Sequence, residues 1–211
     1  MSIRTGKRED AAFLASIILT ASRGHLARGW FDLALDRSET ECLAFLRQLT
    51  VTEARSVWHY SRFLVAEEVG NGPVAALSAF AAVDAYPVSP IAIAEVGETL
   101  GLTSEEQAQI WDRGEYAFTC TVPPNKVWVV ENVATLPAHR RSGHTAALLE
   151  RALEYGRSQG MKHAQVTFLI GNEAAERAYE RVGFRLVEER RHSAFETAAG
   201  SPGLRQFVKT L

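Results

Sequence analysis

Cysteine is scarce in this chain of 211 residues, which holds only two. Cys42 and Cys120 lie far apart and match neither a zinc-ligand nor a redox-pair spacing, so buried reduced thiols are expected. Such thiols suit a reducing compartment. An excess of one charge sign is missing too: 23 Lys and Arg stand against 25 Asp and Glu, a formal net charge of -2. No global field then favours a nucleic acid or an anionic membrane. No apolar run nears the roughly 20 residues of a membrane span, and Met1-Ser2-Ile3-Arg4 does not open a signal peptide. No internal repeat, low-complexity tract or metal-ligand spacing is evident. The expectation is a soluble cytoplasmic protein with no metal, nucleic acid or membrane among its partners.

What is present suffices for one sizeable core, with 46% of residues hydrophobic. Ile3-Arg4-Thr5 reads as a short strand, and Ala12, Phe13, Ile17, Ile18 and Ala21 keep helical spacing up to Gly24. A capping box, Ser38-Glu39-Thr40-Glu41, starts a second helix that runs to about Leu49. Two strands, 62–68 and 74–80, flank Asn71-Gly72, a strong hairpin signal. After Pro87 and Pro90 a helix capped at Thr103 or Ser104 is expected, then a strand near 127–134, a helix near 146–157 and a strand at 164–170. A helix at 173–182 and strands at 184–190 and 204–210 complete the chain. The order βααβββαβαββ is that of a mixed α/β sheet in a single domain over 1–211.

The segment with the most chemistry in it is Pro137-Ala138-His139-Arg140-Arg141-Ser142-Gly143-His144-Thr145, between an apolar strand and an amphipathic helix. A loop there aims unpaired backbone N–H groups and the positive end of a helix at one spot. With two arginines added, the arrangement is an anion site suited to phosphate. Two rival phosphate motifs fail. Gly70-Asn71-Gly72-Pro73-Val74-Ala75 matches G-x-G-x-x-A but leads through proline into a strand instead of a helix, and Gly6-Lys7 lacks the rest of a P-loop.

Val133-Ala134-Thr135-Leu136-Pro137 followed by Arg140-Arg141-Ser142-Gly143-His144-Thr145 resembles the acetyl-CoA signature of the GNAT superfamily of N-acyltransferases, Arg/Gln-x-x-Gly-x-Gly/Ala. Asn172 to Phe184 is similar to that family's Asn-x-x-Ala-x-x-x-Tyr-x-x-x-Gly-Phe segment at every defining position. One departure is Thr145, where the family usually has Gly or Ala. The resemblance implies an α/β (α+β) fold with a mixed, mostly antiparallel, twisted sheet of about seven strands and about four helices. It further implies that the N–H groups of Arg141, Ser142, Gly143, His144 and Thr145, with Arg140 beside them, hold the CoA pyrophosphate. Val133, Ala134 and Thr135 would pair with the pantetheine arm, Asn172 would reach it near the thioester, and Tyr179 would lie close to the sulfur. The residue types leave alternatives beside these roles: a helix N-cap for Asn172, a core aromatic for Tyr179 and a solvated turn for the arginines.

The implied reaction moves an acetyl group from acetyl-CoA, the acyl donor, to a primary amine of a small-molecule or peptide acceptor. Tyr179 can protonate the departing thiolate. Glu131, a carboxylate inside an apolar strand, is either a base or acceptor contact or a structural pair, since a buried carboxylate needs a partner. Thr167 stands where relatives that acetylate ribosomal-protein N-termini carry Glu, which argues against that acceptor. His139 and His144 read as surface loop residues, with a place near the phosphates as the alternative. Aromatics in the segments near 22–37, 51–61 and 84–118, expected to be irregular and on the acceptor side, either line a cleft or plug the edge of the core. A homodimer would use the last strands. The other reading of the whole is a non-catalytic acyl-CoA-binding module, which would have no need of a hydroxyl at the sulfur.

Overall fold

In the structure, a computed structural model describing residues 1–121 and 126–211, the alternating and apolar runs seen in sequence become seven strands of one sheet. They are β1 (Ser2–Thr5), β2 (Phe63–Glu68), β3 (Gly72–Ala81), β4 (Trp128–Thr135), β5 (His163–Leu169), β6 (Arg185–Arg191) and β7 (Gly203–Thr210), in the order β1-β2-β3-β4-β5-β7-β6. Every neighbouring pair is antiparallel except β4 and β5. The expected mixed, mostly antiparallel sheet is therefore present.

The expected helices are α1 (Ala11–Arg23), α3 (Glu39–Leu49), α6 (Ser104–Gly114), α7 (His144–Ser158) and α8 (Glu173–Arg181). The Ser38 cap forms as the sequence requires: its hydroxyl accepts from the Glu41 N–H, and the Glu41 carboxylate accepts from the Ser38 N–H at 3.0 Å. To these five the described residues add four more, beyond the about four that the resemblance implied: α2 (Trp30–Leu35), α4 (Ala82–Ala85), α5 (Ser89–Thr99) and α9 (Ser193–Ala199). Segment 84–118 is thus largely helical and 22–37 is helical over half its length, a correction to their reading as irregular; 51–61 is irregular up to a 3-10 turn at Tyr60–Arg62. The prolines misled, because Pro90 occupies the first turn of α5, where no intrahelical N–H is needed.

The two faces of the sheet are buried by different helices. Leu14, Ile18, Phe31, Leu46, Ile93 and Val96, from α1, α2, α3 and α5, pack on Phe63, Val65, Ala76 and Ala134. On the opposite face Leu148, Leu149, Ala152 and Leu153 of α7 and Tyr179 of α8 pack on Leu77, Val130, Val166, Phe168 and Phe207. Each fully buried leucine contributes about 1.5–3 kcal/mol relative to an exposed one. Gly156 lets α7 lie close to the sheet, since a Cβ there would sit 2.8 Å from the Trp128 ring.

One pairing positions the site. β4 and β5 run parallel but pair only at Trp128–Ala164 and Val129–Gln165. Beyond Val129 they separate, so the β5-facing edge of β4 from Val130 to Thr135 has no strand partner among the described residues. A sheet opened in its middle presents backbone donors and acceptors that an extended ligand can satisfy.

Candidate active site

Asn132 shapes the open edge. Ala76 pairs with Ala134 and Ser78 with Glu131, so Leu77 alone faces Asn132 and Val133, a bulge of two residues against one. Asn132 sits at φ 52°, a left-handed conformation that Asn tolerates, and its amide donates to the buried Ser78 hydroxyl at 2.9 Å. The inserted residue reverses the side-chain alternation. Glu131 therefore lies on the face towards α4 while Val133 turns to the α7 face and Ala134 back to the α1 face.

β4 ends against the anion loop. After a 3-10 turn at Pro137–His139, Arg141 (φ 64°) and Gly143 (φ 82°) adopt left-handed conformations that lead into α7. Gly143 is the N-cap and offers no side chain, so the first N–H groups of α7 stay open, and the space where its Cβ would stand is empty. Arg140 folds back to donate to the Thr135 carbonyl at 3.4 Å, while Arg141 and Ser142 are exposed. Thr145 turns its hydroxyl to that of Thr135, 3.2 Å away, so its side chain ties the helix start to the end of β4.

His144 corrects its reading as a surface residue: it is 4% exposed. Its Nε2 lies 2.8 Å from one oxygen of Glu68, whose other oxygen is 2.9 Å from His139 Nδ1. The Glu68 carboxyl, held below the ordinary range by Asn71 and then by these two imidazoles, thus ties the loop to the β2–β3 hairpin. The sequence carries no signal for this contact, which spans more than 70 residues.

The opposite wall of the gap comes from β5 and α8. Asn172 caps α8, its Oδ1 accepting from the Ala175 N–H at 3.2 Å, while its amide nitrogen lies against Gly24 at the end of α1. Tyr179 is buried, its ring 5.4 Å from Phe168 and 6.0 Å from Phe184. Its ring is therefore a core aromatic, yet its hydroxyl has no hydrogen-bond partner among the described residues. Burial first, and the Glu131 charge second, push that hydroxyl above its ordinary pKa and keep it protonated.

Among the described residues Glu131 has one hydrogen-bond partner, the hydroxyl of Tyr86, which donates to Oε1. Burial drives the Glu131 carboxyl upward, opposed by that hydrogen bond. Glu131 and Tyr179 lie on opposite faces of the sheet, and burial raises the pKa of both. Of the aromatics flagged in sequence, Trp30, Phe31, Trp58 and Trp111 plug the edge of the α1-side core, and Tyr116 packs on Phe195. Only Tyr86 reaches a charged group of the site.

Two comparisons agree with this geometry. The model of the acetyltransferase (GNAT) family matches residues 30–184. The chain therefore belongs to the GNAT acetyltransferase family, and it is an acyltransferase. A solved acetyltransferase is similar over 100% of this chain and 99% of its own, with 20% identity and a TM-score of 0.73. An N-acetyltransferase from Staphylococcus aureus is 20% identical with a TM-score of 0.70, covering 99% of this chain and 100% of its own. A putative acetyltransferase from Salmonella typhimurium, solved with its cofactor acetyl-CoA, is 19% identical with a TM-score of 0.55, over 100% of this chain and 94% of its own. At such identities the likeness is one of fold. No curated protein sequence matches the chain. Membership of a family of enzymes decides against the non-catalytic alternative.

Proposed function

We propose that this enzyme moves an acetyl group from acetyl-CoA to a primary amine by direct attack within a ternary complex. The observation that carries the reading is the gap between β4 and β5, with an open anion loop at one end and Glu131 and Tyr179 at its two faces. The pantetheine arm pairs with Val133, Ala134 and Thr135 as a short strand, extending the sheet where β5 has left it. Its pyrophosphate sits on the N–H groups of Arg141 to Thr145, with the Arg141 charge beside it and Arg140 steadying the end of β4. Asn172 borders the arm from the α8 side while serving as helix cap.

The amine attacks the thioester carbonyl carbon in its neutral form, and Glu131 takes the proton that the nitrogen then sheds, directly or through one water, and later releases it to solvent. As the C–S bond breaks, the thiolate receives a proton from Tyr179, whose raised pKa keeps that proton available at neutral pH. The tyrosinate is reprotonated from solvent before the next turnover. The relative named an N-acetyltransferase and the one solved with acetyl-CoA support the amine acceptor and the donor.

Thiol release from acetyl-CoA across a panel of small amines and peptide N-termini tests the reading. At least one amine should stimulate release, and Tyr179→Phe and Glu131→Gln should each lower kcat about 10²–10⁴-fold with CoA affinity preserved. Full activity in both variants, or CoA binding with no amine-stimulated release, overturns it.

A further inference from the structure

Glu131 has two carboxylate oxygens, and one of them is occupied. The Tyr86 hydroxyl donates to Oε1, whereas Oε2 has no hydrogen-bond partner among the described residues. Tyr86 opens the 3-10 turn Tyr86–Val88, which follows β3 through α4 without an intervening loop. Its ring stands edge-on to Phe80, with centroids 5.5 Å apart and planes at 79°. Phe80 pairs with Val129, two residues before Glu131, so ring, carboxylate and supporting phenylalanine share one sheet face. Pro87 stiffens the backbone on the far side. The ring is thus held by packing on Phe80 of β3 and by the turn that carries it, independently of the carboxylate its hydroxyl meets.

A buried carboxylate needs a donor in any role; what points to a base is that the donor takes one oxygen and leaves Oε2 without a partner among the described residues. From a carboxylate acting as a base, two things are required: one oxygen aimed at the incoming proton, and a charge that survives burial. We propose that Tyr86 is a positioning residue for acyl transfer, fixing Oε1 of Glu131 so that Oε2 is the oxygen that receives the amine proton. The inference rests on Glu131 being the base. The same hydrogen bond favours the ionised carboxylate and so opposes the upward pull of burial. Tyr86 itself stays protonated, since burial and the adjacent Glu131 charge push its hydroxyl well above the ordinary range. It therefore orients and does not exchange the reacting proton. Segment 84–118 thereby acquires a catalytic duty: it delivers the group that aims the base.

Tyr86→Phe keeps the ring, the Phe80 contact and the turn, and removes only the donor. The pH profile of kcat/KM with an amine found in the panel is the decisive readout. In Tyr86→Phe the acid limb set by Glu131 should move up by about one pH unit, with activity on that limb down about tenfold, recovery above it and an unchanged KM for acetyl-CoA. Carbon-13 carboxyl NMR of the ligand-free protein should show the Glu131 titration displaced in the same direction, independently of turnover. Glu131→Gln should remove that limb in either background, leaving only the limb set by ionisation of the amine itself. If Glu131→Gln retains the limb, the base reading fails and the inference falls with it. If the limb is lost in Glu131→Gln but neither it nor the NMR titration moves in Tyr86→Phe, the base stands and the role of Tyr86 is overturned. A loss of activity uniform across pH, or matched by a loss of CoA affinity, marks a structural role and overturns it too.

Discussion

Single residues here take their meaning from what surrounds them, and His59 is as instructive as Glu131. It is 4% exposed, caps the Tyr60–Arg62 turn with Nδ1 accepting from the Ser61 N–H, and has no carboxylate beside it. Burial, then the charges of Arg55, Arg62 and Arg8, lower its pKa from 6.5 to about 4. A base whose folded pKa is depressed stabilises the fold fully above its unfolded value, and that contribution is lost as pH falls from about 6.5 towards 4. Within that window stability should fall by up to about 1.4 kcal/mol per pH unit. His59→Asn keeps a capping acceptor without the titration, so urea unfolding of this variant should show a flatter pH dependence than the parent between pH 6.5 and 4.5. Parallel curves would assign the acid sensitivity elsewhere. At Thr145 the environment changes the meaning of a residue in the other direction. Bulk at this position looks unfavourable for a phosphate loop, yet the side chain is turned to Thr135 and away from the open N–H groups.

At the scale of elements, β4 carries the design. An Asn in a run of β-branched residues is out of place for a strand, and that was the available sign of a bulge; the register shift at Ala76/Ser78 shows what it does. Were the strand to run through Asn132 in regular alternation, with no bulge, Glu131 and Val133 would share a face. Asn132→Gly should retain the backbone and lose only the hydrogen bond to Ser78, about 1 kcal/mol of stability. Asn132→Val forces a β-branched residue to a positive φ, costing about 1–3 kcal/mol, and should weaken CoA binding at least about tenfold as the bulge flattens. Denaturant melts and calorimetric CoA titration check both; a valine variant that binds like the parent would remove the bulge from the site.

Across the whole molecule, the sheet is two antiparallel blocks joined through one short parallel pairing, and the donor is proposed to lie where they part. CoA should therefore act as a missing strand. At a concentration 100 times its Kd, it should slow amide hydrogen exchange of Val130–Thr135 and of the Arg141–Thr145 loop by up to about 100-fold, equivalent to about 2.7 kcal/mol. Gly143→Asp adds charge at the open N-cap and should abolish that protection at the same CoA concentration. Protection confined to other strands, or an unchanged response in the variant, would move the donor out of the gap.

Local signals were sufficient for much of this. Strand runs, the Ser38 capping box, the Asn71-Gly72 hairpin and the loop-to-helix junction at Gly143 are decided by period, caps and backbone freedom, which neighbours in sequence determine. The same locality explains why residues of the anion loop and the α8 segment could be named from the chain. Four short or proline-initiated helices were illegible because their stability comes from packing and not from propensity. The link from Glu68 to His139 and His144, the splitting of β4 from β5 and the meeting of Tyr86 with Glu131 join residues 45 to 76 positions apart or depend on strand order. No periodicity records such a distance. By itself the sequence determined the strands, the longer capped helices and the open loop proposed to take an anion; only the tertiary structure decided which face of β4 each side chain occupies, because one inserted residue reverses that face and its effect is set by the partner strand.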